Sequence, residues 1–417
     1  MRREDSILLG FGAEPPRQGG DPAQIDWDYL LRTSADNRLD GIVFNALDRL
    51  GVLAEAPEPV RRALEERYRR IVETVSLYIH HAGELAERFR AAGLRMIVLR
   101  GPALGLTIYE KPYLRPFRDL DILIPREEIG AAKEVLDNAG FVPEKGLLPD
   151  PYFEKHHLHL RRIHARTGAA VELHWAFDHP YAPTLVDIPS LFLRARPAGD
   201  AAAPLPVLDP VDALITLCLH LCKHCIFLGA FTEEKDFPSL LTGERSALWL
   251  IDIEKARKKL DGDSLARARG RAAEWSLAGN LTVCLRAAER IFGGTTMTEG
   301  GAPAGMNRWE KAVSRRRMAF LRGEGGGTRI DRFLFGLRPD TIFRPVRALS
   351  LARCVFPPAD YLRKRYGDGV TAKARILHAA RTGRRLTGNL TDYLRERWKA
   401  RKQGNVGNAH RDQRGRR

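Results

Sequence analysis

The chain has 417 residues, 44% of them hydrophobic, with 68 Lys and Arg against 52 Asp and Glu and a formal net charge of +16. That length supports a substantial core divided over two or three modules, and five cysteines fit a reducing compartment with no disulfide framework. The longest apolar stretch, 213–231, carries His220, Lys223 and His224, which excludes a membrane span, and the apolar segment near the N-terminus is too short for a secretory signal, so a cytoplasmic protein is the default expectation.

The spacing of apolar residues predicts helices from Asp26 to Arg90, with a long one over 60–92. Pro57 and Pro59 mark its start and Gly93 its end. An apolar run of strand length, 94–99, follows and leads through Arg100-Gly101-Pro102 into a helix over 102–109. A second strand is expected over 120–124, an amphipathic helix over 126–139, and extended chain from Phe141. Segments 157–164 and 169–177 flank Arg166-Thr-Gly168 and read as a β-hairpin. This order of helices and strands argues an α/β or α+β core of about 110 residues.

Beyond Pro206 the pattern is helical over 211–227, 246–260, 264–275 and 280–292, as in a bundle. Loops are expected over 293–305 and 323–328, further helices over 372–382 and 389–399, and disorder over 403–417. Positive charge concentrates late. Residues 301–417 hold 29 Lys and Arg against 9 Asp and Glu, so the rest of the chain is slightly acidic. Such a region suits nucleic acid, an anionic surface or a polyanionic substrate, or it is a solvated surface with no dedicated partner. Cys218, Cys222 and Cys225 cluster with His220 and His224 inside an apolar helix; lacking a second ligand pair of metal-binding spacing, they read as core residues.

The chemistry centres on Arg115-Pro-Phe-Arg-Asp119-Leu-Asp121-Ile-Leu-Ile124. Strand side chains alternate, so Asp119 and Asp121 share a face, and two like charges side by side call for a cation between them. Divalent ions are the usual partners of such carboxylates, and pairs of them serve phosphoryl and nucleotidyl transfer. Glu172 and His174 share a face of the second hairpin strand. Glu172 is a candidate third ligand, its alternative an ion pair with Arg161 or Arg162. Arg100 and Gly101, where a strand runs into a helix, are candidates for holding a triphosphate. Arg115 and Arg118 either bind phosphate or offset the aspartates; phosphate is favoured for Arg115. His157 and His159 share a face with Arg161 and read as a solvated hairpin edge or as phosphate or acceptor contacts, while Trp249, Asp252, His220 and His224 are candidates to line the facing side of the cleft.

The ordered set Ile97-Val-Leu-Arg-Gly101, Tyr109, Arg115–Ile124, Gly140-Phe141 and Val171-Glu-Leu-His-Trp175 resembles the bacterial family called uncharacterised nucleotidyltransferases, within the polymerase-beta-like superfamily. The resemblance covers roughly residues 25–300 and extends weakly to 356–366. It implies an α+β fold: a small mixed-sheet nucleotidyltransferase core (93–205) between an N-terminal helical region (1–92) and a C-terminal helical bundle (206–300), followed by a basic, partly helical extension with a disordered tail (301–417). It also implies that Asp119 and Asp121 bind metal and Glu172 completes the triad. The family's Leu-Lys-Gly reads Leu-Arg100-Gly here, replacing a point charge by a planar fork. The superfamily's Gly-Ser reads Gly101-Pro102, without the hydroxyl.

The expected function is therefore a metal-dependent nucleotidyltransferase. It would use Mg2+ or Mn2+ and an NTP, with Asp119, Asp121 and Glu172 as catalytic and metal-binding residues and Arg100, Gly101, Arg115, Arg118 and His174 around the nucleotide. The acceptor would be a small molecule, sugar or peptide. The alternatives are a nucleotide-binding or regulatory module of the same fold with weak or no catalysis, and a nucleic-acid binder acting through the basic C-terminal region.

Overall fold

The computed structural model describes residues 25–144, 149–178, 184–199, 204–224, 246–292 and 375–384, with 387, 388, 391 and 395. Helix α1 (Trp27–Asp36) is capped by Asp26, whose carboxylate accepts the Tyr29 N–H, and α2 (Asp40–Arg49) follows it. Pro57 and Pro59 open α3 (Glu58–Ala91), a helix of 34 residues, where a missing N–H costs nothing. Arg88 and Arg90 sit in its last turn, favourable to the helix dipole, and Gly93 closes it at φ 68°.

The strands are β1 (Ile97–Val98), β2 (Asp119–Leu123), β3 (Phe141–Pro143), β4 (His159–His164), β5 (Ala170–His174), β6 (Arg196–Ala198) and β7 (Leu205–Val207). They form one mixed sheet in the order β3-β4-β5-β2-β1-β7-β6. β2 runs parallel to β5 and β1 parallel to β7, and the other pairs are antiparallel. Between and after them lie α4 (Pro102–Thr107), α5 (Ile129–Asn138), α6 (Asp150–His156), α7 (Ile188–Arg194), α8 (Pro210–His224), α9 (Ser246–Lys258), α10 (Gly262–Glu274) and α11 (Ala278–Phe292). The α+β fold expected from the sequence is the fold observed.

Alternation gives the sheet two unlike faces. On one, Leu120, Ile122, Leu160, Val171 and Leu173 pack with Tyr78, Ala82, Leu85 and Phe89 of α3 and with Ala132 and Leu136 of α5. On the other, Ile97, Leu99 and Leu123 join a second cluster that runs through α1, α2 and the helices α8, α9, α10 and α11. The polar residues of β2, β5 and β4 continue this second face beyond the apolar patch. The boundary between sheet and helices therefore carries both core and charge.

Several limits differ from expectation, with physical reasons. The first strand is only two residues long. Leu94 N–H is taken by the Phe89 carbonyl in the cap of α3, and Arg95 N–H by the Glu128 carboxylate. The helix expected over 102–109 ends at Thr107, as Ile108 adopts φ −120°. Helices α6 and α7 and the β6–β7 hairpin were not anticipated; all are short and rich in proline, and Pro197 pairs with Pro206 across the hairpin. The four bundle helices lie within a few residues of their expected limits, and 375–384 is helical. The loops at 293–305 and 323–328, most of 389–399 and the tail 403–417 lie outside the described residues, as does most of the basic extension.

Candidate functional site

The parallel pairing of β2 with β5 sets Asp121 directly opposite Glu172 and Leu123 opposite His174. The antiparallel pairing of β5 with β4 then adds Arg161 opposite Glu172 and His159 opposite His174. Asp119, Asp121, Glu172, His174, His159 and Arg161 are thus gathered on one face by register alone. Tyr78 from α3 fixes the start of β2: its hydroxyl donates to the Arg118 carbonyl and accepts the Ala170 N–H at 3.0 Å.

Asp121 is the most engaged member. Arg100 grips it with both ends of its fork, Nε to Oδ2 at 2.9 Å and Nη2 to Oδ1 at 2.7 Å, and His174 Nε2 lies 2.9 Å from Oδ1. Burial alone would raise the Asp121 carboxyl; Arg100 and His174 overcome it and hold the carboxyl well below the usual range. Among the described residues, Asp119 has no such partner. Burial and the neighbouring Asp121 and Glu172 push it up to about 6. Burial would lower His174, but its contacts with Asp121 and Glu172 raise it instead. His159 is held well below the ordinary imidazole range by burial and by the charge of His174.

Glu172 lies on an interior strand, with Oε2 3.7 Å from His159 Nε2 and 3.5 Å from His174 Nε2, and Oε1 3.8 Å from Arg161 Nη1. Of the two arginines expected to pair with it, Arg161 faces it. Arg162 points to the other side of the sheet and forks Asp150 at 3.0 and 2.6 Å. From above, α8 brings Lys223 within hydrogen-bonding reach of the Phe177 carbonyl, 3.1 Å away. Burial pulls Lys223 below the ordinary amine range, and Asp178, Asp121 and Glu172 pull the other way.

The remaining candidates are placed differently. Gly101 has φ 51°, a backbone state that favours glycine, and a Cβ there would come within 3.1 Å of the Phe117 ring. Its missing side chain is thus required by that turn and by Phe117. Arg118 is exposed just before Asp119. Arg115 is buried, and its guanidinium holds Asp252 of α9 through Nη2 to Oδ2 at 2.8 Å and Nε at 3.2 Å from each oxygen. Tyr109 donates its hydroxyl to the same carboxylate at 2.7 Å. Asp252 therefore does not line an open cleft; it is fully enclosed beneath Arg115. His220 packs edge-on against Trp249, with ring centroids 5.0 Å apart.

Sequence reasoning reached Asp119, Asp121, Glu172, His174 and Arg100, which the structure brings together. It gave no role to Lys223, whose one legible sign is a charge in an otherwise apolar helical run. It also missed that Asp252 belongs to Arg115, since 137 residues separate them. Cys218 is buried and Cys222 half-buried on α8, where Cys222 Sγ is 3.6 Å from Cys284 Sγ of α11, while Cys225 lies outside the described residues.

This arrangement of paired strand aspartates, a register-matched glutamate and an arginine at the strand–helix joint runs through the part of the chain that the family model for uncharacterised nucleotidyltransferases matches, residues 23–293. The chain belongs to that family. The match to the uncharacterised nucleotidyltransferases takes in α8, α9, α10 and α11 as well as the sheet, so the helices that supply Lys223 and Asp252 are part of the family unit. No curated protein matches the chain, and no solved structure does. Among the described residues, no helix is long and apolar enough to cross a membrane.

Proposed function

We propose that the chain is a divalent-metal-dependent nucleotidyltransferase that moves a nucleoside monophosphate from an NTP to a hydroxyl or phosphate of a small-molecule, sugar or peptide acceptor. The observation that carries this reading is the in-register pairing of Asp121 with Glu172, with Asp119 on the same face. The donor set fits a divalent ion. Arg100 balances Asp121, while Asp119, lifted to about 6 first by burial and then by Asp121 and Glu172, has no ion-pair partner of its own among the described residues. Asp119, Asp121 and Glu172 would hold Mg2+ or Mn2+, which when bound supplies Lewis-acid polarisation of phosphate oxygens.

The chain's own residues supply the rest. Arg100 and Lys223 approach the carboxylates from β1 and α8, and both are suited to phosphate oxygens once Asp121 is balanced by another cation. His174 steadies Asp121 through Oδ1. Glu172 is the candidate to take a proton from an acceptor hydroxyl. Arg115 acts at a distance by tying the Asp119 strand to α9.

The test is pyrophosphate release from each NTP with Mg2+ across a panel of acceptors. Turnover that disappears in Asp119→Ala and Asp121→Ala supports the reading; full retention in both variants sinks the metal assignment. A second reading, a nucleotide-binding module without catalysis, is favoured by one feature: both Asp121 oxygens are already engaged by Arg100. Calorimetry with ATP and Mg2+ separates the two, because tight binding without pyrophosphate release selects the module.

A further inference from the structure

His159, Glu172 and His174 present one ligand atom each, all within 4.8 Å of one another. The separations are 3.5 Å from His174 Nε2 to Glu172 Oε2 and 3.7 Å from His159 Nε2 to the same oxygen. These are too long for good hydrogen bonds, whose N···O distances end near about 3.2 Å. They are close to the edge of a tetrahedron around an ion with bonds of about 2.1 Å, which is roughly 3.4 Å. The two imidazole rings tilt towards each other, with centroids 4.7 Å apart.

His159 Nδ1 is buried with no hydrogen bond among the described residues, so no neighbour fixes the ring by that atom. His159 and Glu172 have side-chain exposures of 22% and 18%, leaving the cluster reachable, while His174 at 4% forms its floor. The three residues come from adjacent strands, whose backbone pairing pre-sets their spacing without help from a loop.

We propose that His159, Glu172 and His174 form a binding site for a first-row transition ion of the Mn2+-to-Zn2+ class, beside the Asp119–Asp121 carboxylates. Two imidazole nitrogens and one carboxylate suit such ions, whereas Mg2+ favours oxygen ligands and sheds water reluctantly. The site rests on these side chains alone and does not require the chain to transfer nucleotides. It has a built-in consequence for the neighbouring carboxylates. His174 Nε2 now lies 2.9 Å from Asp121 Oδ1, and an ion that takes this nitrogen's lone pair removes that contact and leaves Asp121 to Arg100.

The experiment uses the full chain, stripped of metal by chelation and free of nucleotide, titrated with Mn2+ and separately with Mg2+. Mn2+ is chosen because it has little affinity for the free thiols. The expected result is a Mn2+ site at least about tenfold tighter than any Mg2+ site, with His159→Ala weakening Mn2+ at that site by about 10–100-fold and leaving Mg2+ unchanged. Electron spin-echo spectra of the Mn2+-loaded wild type are expected to show 14N coupling from imidazole, a readout that does not depend on any variant folding. Absence of that coupling, equal affinities for Mn2+ and Mg2+, or an unaltered Mn2+ affinity in a folded His159→Ala protein would each overturn the proposal. Since no nucleotide is present, failure of nucleotidyl transfer and failure of this site are separate results.

Discussion

Two of the arginine–aspartate forks among the described residues, Arg115–Asp252 and Arg100–Asp121, differ in how completely they are closed. Arg115 and Asp252 are 5% and 0% exposed, Tyr109 completes the carboxylate, and its hydroxyl is held well above the usual phenol range by burial and by Asp252. Arg100 and Asp121 form an equally tight fork, but beside it stand Asp119, lifted to about 6 by burial and its acidic neighbours, and the cluster of Glu172, His159 and His174. The first cluster is satisfied and joins sheet to helices. The second leaves Asp119 without an ion-pair partner of its own among the described residues. An arginine next to an aspartate motif therefore says little about phosphate until its own partner is known: Arg115 of the motif is committed to α9, and the arginine at the site is Arg100.

That contrast can be broken by experiment, starting with the largest expected effect. In the open cluster, Asp119→Asn should lower nucleotidyl transfer on the order of a thousandfold, with the fold intact by circular dichroism. In the closed cluster, Asp252→Ala leaves Arg115 buried without its counter-charge and should destabilise the protein by about 3–5 kcal/mol, measured by urea unfolding. If Asp252→Ala left stability unchanged while Asp119→Asn unfolded the chain, the two clusters would have the opposite characters.

A smaller effect is expected at Lys223. If the proposed function holds, Lys223→Ala should raise KM for the NTP about tenfold, more than it lowers kcat, because the charged hydrogen bond proposed for the triphosphate would be lost. An unchanged KM would take Lys223 out of the nucleotide site.

The smallest effect concerns pH. With Asp119 lifted from 3.8 to about 6, the folded state binds its proton more tightly than the unfolded state does. Metal-free protein should therefore lose this group's contribution as pH rises from about 4 to 6. Thermal unfolding of wild type against Asp119→Asn should show wild type falling further over that window. Added Mg2+ should recover more stability at pH 7 than at pH 5, where protons compete for the carboxylate. Parallel curves for the two proteins would contradict the lifted Asp119 carboxyl.

Much of this was readable before any fold was known. The two-residue spacing in Asp119-Leu-Asp121 and the alternation through Val171-Glu-Leu-His174 depend only on strand geometry, so the carboxylates and their common face followed directly. The long helix α3 was equally legible, because Pro57, Pro59 and Gly93 bracket an uninterrupted pattern. What the sequence hid were partners separated by topology. Nothing local links Arg115 to Asp252, Arg100 to Asp121 or Lys223 to Phe177, since each pairing is created by strands and helices meeting in space. The short proline-bearing elements α6, α7, β6 and β7 were missed for another reason: three to seven residues are too few to establish a period.

The Tyr78 hydroxyl, bonded to the Arg118 carbonyl on one side and the Ala170 N–H on the other, ties α3 to the start of both β2 and β5. With 34 residues, α3 is a rod about 50 Å long. Its first turns belong to the cluster with α1 and α2, through Val60 and Leu64, while Tyr78, Leu85 and Phe89 lie in the cluster under the sheet. The helix thus spans both clusters as one element, and its Tyr78 hydroxyl bridges the starts of the two strands that carry the carboxylates.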